Sequence, residues 1–292
     1  WCFHLPFIVK FRVIIIGTNP PFSYLIIPVI KLFKPSIKIV LWGFDLYPEA
    51  IISETNKIFS FMGKIIKPVT ILTHRFIDVI VDIGPCMKAI YESYRIKALK
   101  FTLTPWSFIE PPFNKDYIVD TKKKIFGDSK IGLLYSGTLG YAHDYELFLK
   151  LARRFRELNC SIAICFAGFG SRFLELKNKI STEDTNIYFA NFTDDDKELE
   201  NRILSADFFL ISLKESWTGI SIPSKFFGAI ACGKPVIFSG PKESSIAKWI
   251  EEYKLGYCLN KDNIDEIAYS IIDLINSPDK IKMLQLNAYN TY

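Results

Sequence analysis

Three patterns are missing from this 292-residue sequence, and each absence removes a class of function. The six cysteines, Cys2, Cys86, Cys160, Cys165, Cys232 and Cys258, form no CxxC and pair with no histidine at ligand-like spacing. A structural zinc site needs such groupings, so buried free thiols in a reducing compartment are the expectation. The net charge is a mild +5, with no Lys/Arg block. A nucleic-acid surface needs a basic stripe, so nucleic acid is excluded as a partner, while an anionic ligand or an acidic membrane surface fits. No charge-free run reaches the roughly 20 residues that span a bilayer. The nearest, Val13–Phe33, is interrupted by Pro20, Pro21 and Pro28. Low-complexity segments, internal repeats and a recognisable signal peptide are also missing. The chain opens on Trp1 and stops within a helical pattern, NAYNTY, so a piece of a longer protein is expected.

What is present describes a globular chain: 49% hydrophobic and 23% charged residues, enough for two domains of about 150 residues each. Short apolar runs read as strands at Phe11–Ile16, Ile37–Leu41, Ile77–Val81, Ile131–Tyr135, Ser161–Phe166, Asn186–Phe189, Phe208–Ile211, Pro235–Phe238 and Gly256–Leu259. Helical patterns separate them. Asp144–Arg156 is the clearest, with Phe148, Leu151, Ala152 and Phe155 at i, i+3, i+4, i+7. Continuous apolar strands alternating with helices predict parallel sheets covered on both faces. Pro105, Pro111 and Pro112 open a break that Lys122–Lys124 and Gly127-Asp128 close. The expected architecture is therefore α/β: two doubly wound Rossmann-like domains facing a cleft, residues 1–107 and 131–292, joined by a linker over 108–130. Ligands of such sheets bind beyond the carboxyl ends of the strands.

The post-strand segments of the second half carry the chemistry. SGTLGYAHD brings Gly137, Thr138 and Gly140; AGFGSR brings Gly168 and Gly170; ANFTDDD brings Asn191 and Phe192. Glycines there allow close approach of a ligand and present backbone N–H donors. IPSKFFGAIACGKPVIFSG then reads as a helix opening on Ser224 and Lys225. A helix start with a lysine suits a diphosphate; a capped surface helix with a solvated lysine is the plain alternative. Gly228 sits inside that helix, where glycine costs about 1 kcal/mol relative to alanine. TDDD, Thr193–Asp196, reads as a helix start with favourable acids rather than a metal motif. His143 suits either a ligand contact or a helix cap. His74 reads as structural. Asp45 and Glu49, around Pro48, are the carboxylates of the first half best placed to face the cleft; helix capping and turn formation around Pro48 is the plain alternative.

YSGTLG, FAGFG, NIYFANFTDDDKELENRILSADFFLISL, PSKFFGAIACGKPVIFSG and KLGYCLN together resemble the donor domain of family 4 glycosyltransferases of the GT-B fold. Within that group the chain is most similar to the branch of colanic-acid-type fucosyltransferases and N-acetylfucosamine transferases. Upstream, TNPPF (Thr18–Phe22), FDLYPEA (Phe44–Ala50) and TPWSF (Thr104–Phe108) fit the same branch. The resemblance implies a retaining transferase using a nucleotide-diphosphate sugar. Its diphosphate would lie against Gly137, Thr138, Gly140, Ser224 and Lys225, and its base near Gly168, Gly170, Asn191 and Phe192. Lys225 would assist catalysis, with Asp45 an acceptor-side contact. Relatives often carry a ribose-binding Glu where this chain has Gly228, and a His where it has Phe44.

The implied acceptor is a saccharide or polyprenyl-linked saccharide of cell-envelope synthesis. No metal or other cofactor is expected. The expected location is cytoplasmic; the aromatic, basic segment Ile58–Phe76 suits either peripheral contact at the inner membrane face or a buried helix between the domains. Two other readings stand beside this one. A nucleotide-sugar epimerase would draw on His143 and Glu215. A non-catalytic nucleotide-sugar-binding subunit would explain the missing Glu and His.

Overall fold

The computed structural model describes residues 10–53, 56–104 and 118–292. Cys2, His4, Trp106 with most of the TPWSF segment, and residues 108–117 of the expected linker lie outside the described residues. The chain forms two units: Trp1–Pro105 with Ser216–Ile222, and Trp106–Glu215 with Pro223–Tyr292. The piece Ser216–Ile222 thus belongs to the first unit, although the sequence reading kept 131–292 together.

The first unit runs β1 (Val13–Gly17), α1 (Ile27–Phe33), β2 (Lys38–Trp42), α2 (Glu49–Ser53), α3 (Lys57–His74), β3 (Val79–Asp82), α4 (Pro85–Ser93) and β4 (Leu99–Thr102). Its strands are parallel in the order β1-β2-β3-β4. Right-handed crossovers that advance in one direction lay their helices on one face. Ile16, Ile39, Leu41 and Ile80 are buried, as are Ile27, Ile30, Met87 and Tyr91 from the crossovers. The β4 strand carries no apolar run, which is why the sequence pattern passes over it.

The second unit runs α5 (Ile118–Phe126), β5 (Ile131–Thr138), α6 (Glu146–Glu157), β6 (Ile162–Phe169), α7 (Phe173–Asn178), β7 (Ile187–Ala190), α8 (Asp196–Ser205), β8 (Phe208–Ser212), α9 (Lys225–Ala231), β9 (Val236–Ser239), α10 (Ser245–Tyr253), β10 (Gly256–Leu259), α11 (Ile264–Ile275) and α12 (Pro278–Thr291). Its parallel sheet has the order β10-β9-β8-β5-β6-β7. The chain therefore winds outward from β5 to β7, then returns to the other side of β5 and winds outward again to β10. The reversal lies between β5 and β8, the position where such sheets open a ligand crevice.

Part of the expected linker is a helix of this unit. In α5, Phe126 is buried, and Lys122 Nζ reaches Asp207 Oδ2 at 2.7 Å. The same carboxylate oxygen accepts the Gly132 backbone N–H at 2.7 Å, so the helix is tied to β5. The apolar stripe of α6 is buried as its periodicity predicts, with Phe148, Leu151, Ala152 and Phe155 in the core. Its opposite face supplies Arg153 and Arg156, which both engage the buried Asp184 carboxylate. Lys234 of the CGKP turn is buried and donates to the Leu204 carbonyl at 2.6 Å, satisfying one of the last carbonyls of α8.

Candidate functional site

The strands β5 and β6 run past their apolar runs into the glycine segments. Gly137 pairs with Gly168 and Thr138 with Phe169, so these are strand ends rather than free loops. That changes what the glycines are for. A Cβ on Gly168 would lie 2.0 Å from the Gly137 carbonyl oxygen, and one on Gly170 would lie 2.5 Å from that of Leu139. Both glycines are required by the neighbouring backbone, whatever a ligand needs. Gly137, at φ +108°, faces Lys225: its Cβ would lie 3.9 Å from Lys225 Nζ. The space at Gly140 is more open, with only Thr138 Cγ2 at 3.9 Å.

Lys225 occupies the reversal point of the sheet. Its Nζ donates to the Tyr135 hydroxyl at 2.9 Å and to the Thr138 carbonyl at 3.1 Å, and lies 4.1 Å from the centre of the Tyr135 ring. The Tyr135 hydroxyl in turn donates to the Thr138 carbonyl at 3.0 Å. Among the described residues no carboxylate pairs with this ammonium. Burial pulls its pKa down to about 7. Ser224, the preceding residue, does not cap: its backbone is already helical and its side chain makes no cap bond. The helix it precedes has only seven residues, so the positive charge here is chiefly that of Lys225. Gly228 is buried within that helix.

Other ionisable groups lie near this point. His143 Nδ1 lies 2.7 Å from the Ser212 carbonyl, so the ring caps no helix; burial and the neighbouring Lys225 charge hold its pKa down to about 4. Arg172 donates to the His143 carbonyl at 2.8 Å and pairs with Glu175 at 3.2 Å. The pKa of Lys214 is lowered by burial and then by Arg172. These groups follow β5, β6 and β8; His143 is neutral and Arg172 is offset by Glu175 and Asp144, so Lys214 and Lys225 are the charges that favour an anion. Sequence reasoning missed Tyr135, Arg172 and Lys214. Their spacing along the chain carries no signal; only the sheet order assembles them.

A second feature stands at the ends of β6 and β7. Phe169 and Phe192 are both about half exposed and meet edge to face at 4.7 Å between centroids. The buried Arg202 donates to the Asn191 carbonyl at 2.9 Å, fixing the backbone before Phe192. The adjoining acids act as the sequence suggested: Asp195 caps α8 by accepting the Glu198 N–H at 2.7 Å. No group of three His, Cys, Asp or Glu able to hold a metal occurs among the described residues.

Asp45 belongs to the first unit. The backbone N–H groups of Phe44 and Asp45 both donate to Thr18 Oγ1, at 3.0 and 3.2 Å. Asp45 also forms an antiparallel bridge to Ser221, a few residues before Lys225 in the chain. Glu49 takes the structural one of its two expected roles. It is buried, hydrogen-bonded by the Tyr94 hydroxyl and paired with Lys67 at 3.2 Å, which makes it a structural carboxylate. His74 is buried beside it, with Nδ1 2.7 Å from the Thr70 carbonyl. Glu215 is exposed and opens a short 3-10 turn. Of the predicted residues, the structure gathers Gly137, Thr138 and Lys225 at one point and Phe192 near the end of β6.

Solved structures share this architecture at low identity. The cyanobacterial (Anabaena) HepE, solved in complex with UDP-glucose, aligns at TM-score 0.74 and 12% identity over 99% of this chain and 76% of its own. WaaG, a glycosyltransferase involved in lipopolysaccharide biosynthesis, aligns at 0.62 and 13% over 92% of this chain and 76% of its own. TarM aligns at 0.64 and 12% over 95% of this chain, which spans only 50% of TarM. No curated protein matches the sequence closely enough to count as a relative. Residues 118–291, which hold the sheet reversal, Lys225 and the phenylalanine pair, match the family described as "Glycosyl transferases group 1". With well over half its length matched, the chain belongs to the group 1 glycosyltransferases.

Proposed function

We propose that the protein transfers a sugar from a nucleoside-diphosphate donor to a saccharide or lipid-linked saccharide of the cell envelope, with retention at the anomeric carbon. One observation carries this reading: the half-buried Lys225 ammonium, without a carboxylate partner among the described residues, at the sheet reversal beside Gly137 and Thr138. A departing diphosphate develops negative charge as the glycosidic bond to it breaks. A preorganised cation in a partly water-excluded site stabilises that charge more than water does. In this reading the protein's own cations do this and no resident metal takes part. The exposed pair Phe169 and Phe192 takes the base by stacking, and Gly168, Gly170 and Asn191 shape the backbone beside it. Gly140 leaves room for the donor, and Asp45 is the acceptor contact on the first unit. The complex of HepE with UDP-glucose supports a nucleotide-sugar donor, and the involvement of WaaG in lipopolysaccharide biosynthesis supports an envelope product. The sequence resemblance favours the fucosyl and N-acetylfucosaminyl branch.

The test is turnover of a nucleotide-sugar panel with saccharide and polyprenyl-diphosphate acceptors, the product anomer being read by NMR. Transfer with retention supports the reading. Conversion of the donor sugar without acceptor shows an epimerase instead. Gly228, buried where relatives carry a ribose-binding Glu, favours a second reading: a subunit that binds donor and transfers nothing. Donor binding without transfer or hydrolysis across the whole panel supports that outcome.

A further inference from the structure

Tyr135 is a core ring with a polar end. The ring is buried and packs against Phe148 and Phe166, at 6.4 and 6.0 Å between centroids. Phenylalanine would fill that volume as well. A buried phenol costs free energy unless its hydroxyl is hydrogen-bonded, so the oxygen needs partners of its own. The hydroxyl donates to the Thr138 carbonyl at 3.0 Å, accepts from Lys225 Nζ at 2.9 Å and is bonded by the side chain of the buried Ser212. An ammonium can only donate, so a phenol lone pair faces Lys225.

These atoms close a triangle, because Lys225 Nζ also donates to the Thr138 carbonyl, at 3.1 Å. The ammonium stands over the Tyr135 ring, 4.1 Å from its centre, where the ring face attracts a cation. A lysine carries its charge on a flexible four-carbon stem that is otherwise free to swing. Here a hydroxyl, a carbonyl and an aromatic face hold it without a counter-charge. Among the described residues two acceptors take two of its three N–H bonds, which leaves one for a ligand oxygen. A carboxylate in the tyrosine's place would hold the lysine too, but it would offset the charge.

We infer that Tyr135 is a positioning residue for the proposed transfer: its hydroxyl and ring hold the Lys225 ammonium where the departing diphosphate needs it. Stabilising a developing charge depends on a partner fixed before the reaction begins, and this hold supplies that. Burial raises the pKa of the phenol, so it stays protonated and takes no proton from a substrate. The role rests on the proposed reaction, and the test separates the two.

The test is Tyr135→Phe, alone and combined with Lys225→Ala. The ring stays, the Thr138 carbonyl keeps its bond from Lys225, and Ser212 Oγ keeps the Asp144 N–H at 3.1 Å, so the melting temperature should change little. Transfer kcat should fall roughly tenfold, the low end for a hydrogen bond to a charged group. Donor affinity at pH 6 should change less than kcat, because the ammonium is still charged there. The charged amine loses an acceptor, so its pKa should drop by about one unit from its value of about 7. NMR titration of the Lys225 amine in the free protein reads this drop without any donor, and a merely structural tyrosine would not cause it. In the Lys225→Ala background Tyr135→Phe should change nothing further. An unchanged amine titration overturns the role, whatever the donor. Unchanged kcat in Tyr135→Phe, with transfer impaired in Lys225→Ala, overturns it as well and leaves the proposed reaction standing. So does a full Tyr135→Phe effect in the alanine background, since the tyrosine then acts without the lysine. Full transfer by Lys225→Ala refutes charge stabilisation by that lysine and the role of Tyr135 with it.

Discussion

Replacing Lys225 by alanine removes one ammonium from the sheet reversal and leaves the surrounding bonds closed. The Tyr135 hydroxyl still donates to the Thr138 carbonyl at 3.0 Å, so no buried donor is orphaned and the fold should persist. The Lys225 charge is available to a ligand, because its protein partners are a hydroxyl and a carbonyl rather than a carboxylate. A hydrogen bond to a charged group is worth about 1.5–3 kcal/mol. Losing such a donor where charge develops costs roughly 100- to 1,000-fold in kcat, or about 3–4 kcal/mol. Acidity gives a second readout. The free amine has a pKa of about 7 because it is buried. A bound diphosphate favours the protonated form, so above this pKa donor binding must take up a proton. Donor affinity should be flat below about pH 7 and fall toward tenfold per pH unit above it. The assay is calorimetric titration with a nucleotide sugar, whose esterified phosphates do not titrate in the neutral range, beside steady-state transfer. Alanine should flatten the pH profile and lower kcat. Unchanged kcat, or a profile that keeps its slope in the alanine variant, would refute the assignment of charge stabilisation to Lys225.

Phe169→Ala and Phe192→Ala should each weaken donor binding by about 1–3 kcal/mol through lost base stacking, with little change in thermal stability because both rings are exposed. Gly168→Ala should lower stability by about 3 kcal/mol or more, since its Cβ would meet the Gly137 carbonyl oxygen at 2.0 Å; a melting temperature within error of wild type would contradict that geometry. His143, held near pKa 4 by burial and Lys225, binds its proton more weakly when folded than when unfolded. Stability should therefore be full above about pH 6.5 and fall by about 2–3 kcal/mol as pH drops toward 4, a loss that His143→Gln reduces in urea titrations. Glu49→Gln should destabilise the first unit measurably while leaving donor affinity unchanged, as a buried partner of Tyr94 and Lys67 rather than a site residue.

The nine apolar runs all became strands because buried parallel strands show their character along the chain. The strand Leu99–Thr102 was not legible: Lys100 interrupts it, and it lies at an edge of its sheet. In sequence the helix Ile118–Phe126 looks like linker because Lys122–Lys124 resemble a charge run; Lys122 is paired across the chain with Asp207. At the site, Lys225 was legible from a local motif, whereas its partner Tyr135 is fixed only by the reversal of strand order. The glycines show the limit most clearly. Gly137 faces Lys225, while Gly168 and Gly170 are dictated by neighbouring carbonyls, and nothing in GxG spacing separates the two cases. In α3 the amphipathic pattern was visible from residue types, but not which face the protein buries.

In the proposed reaction the second unit grips a nucleoside diphosphate through Lys225. Its most direct measurement is the calorimetric titration of intact and Lys225→Ala protein, at one pH near 7, with nucleoside diphosphates and their sugar esters. The intact protein should bind at least one of these saturably and one-to-one, and the alanine variant should bind it at least tenfold more weakly. Binding of none of them, or equal affinity in both proteins, would contradict that grip.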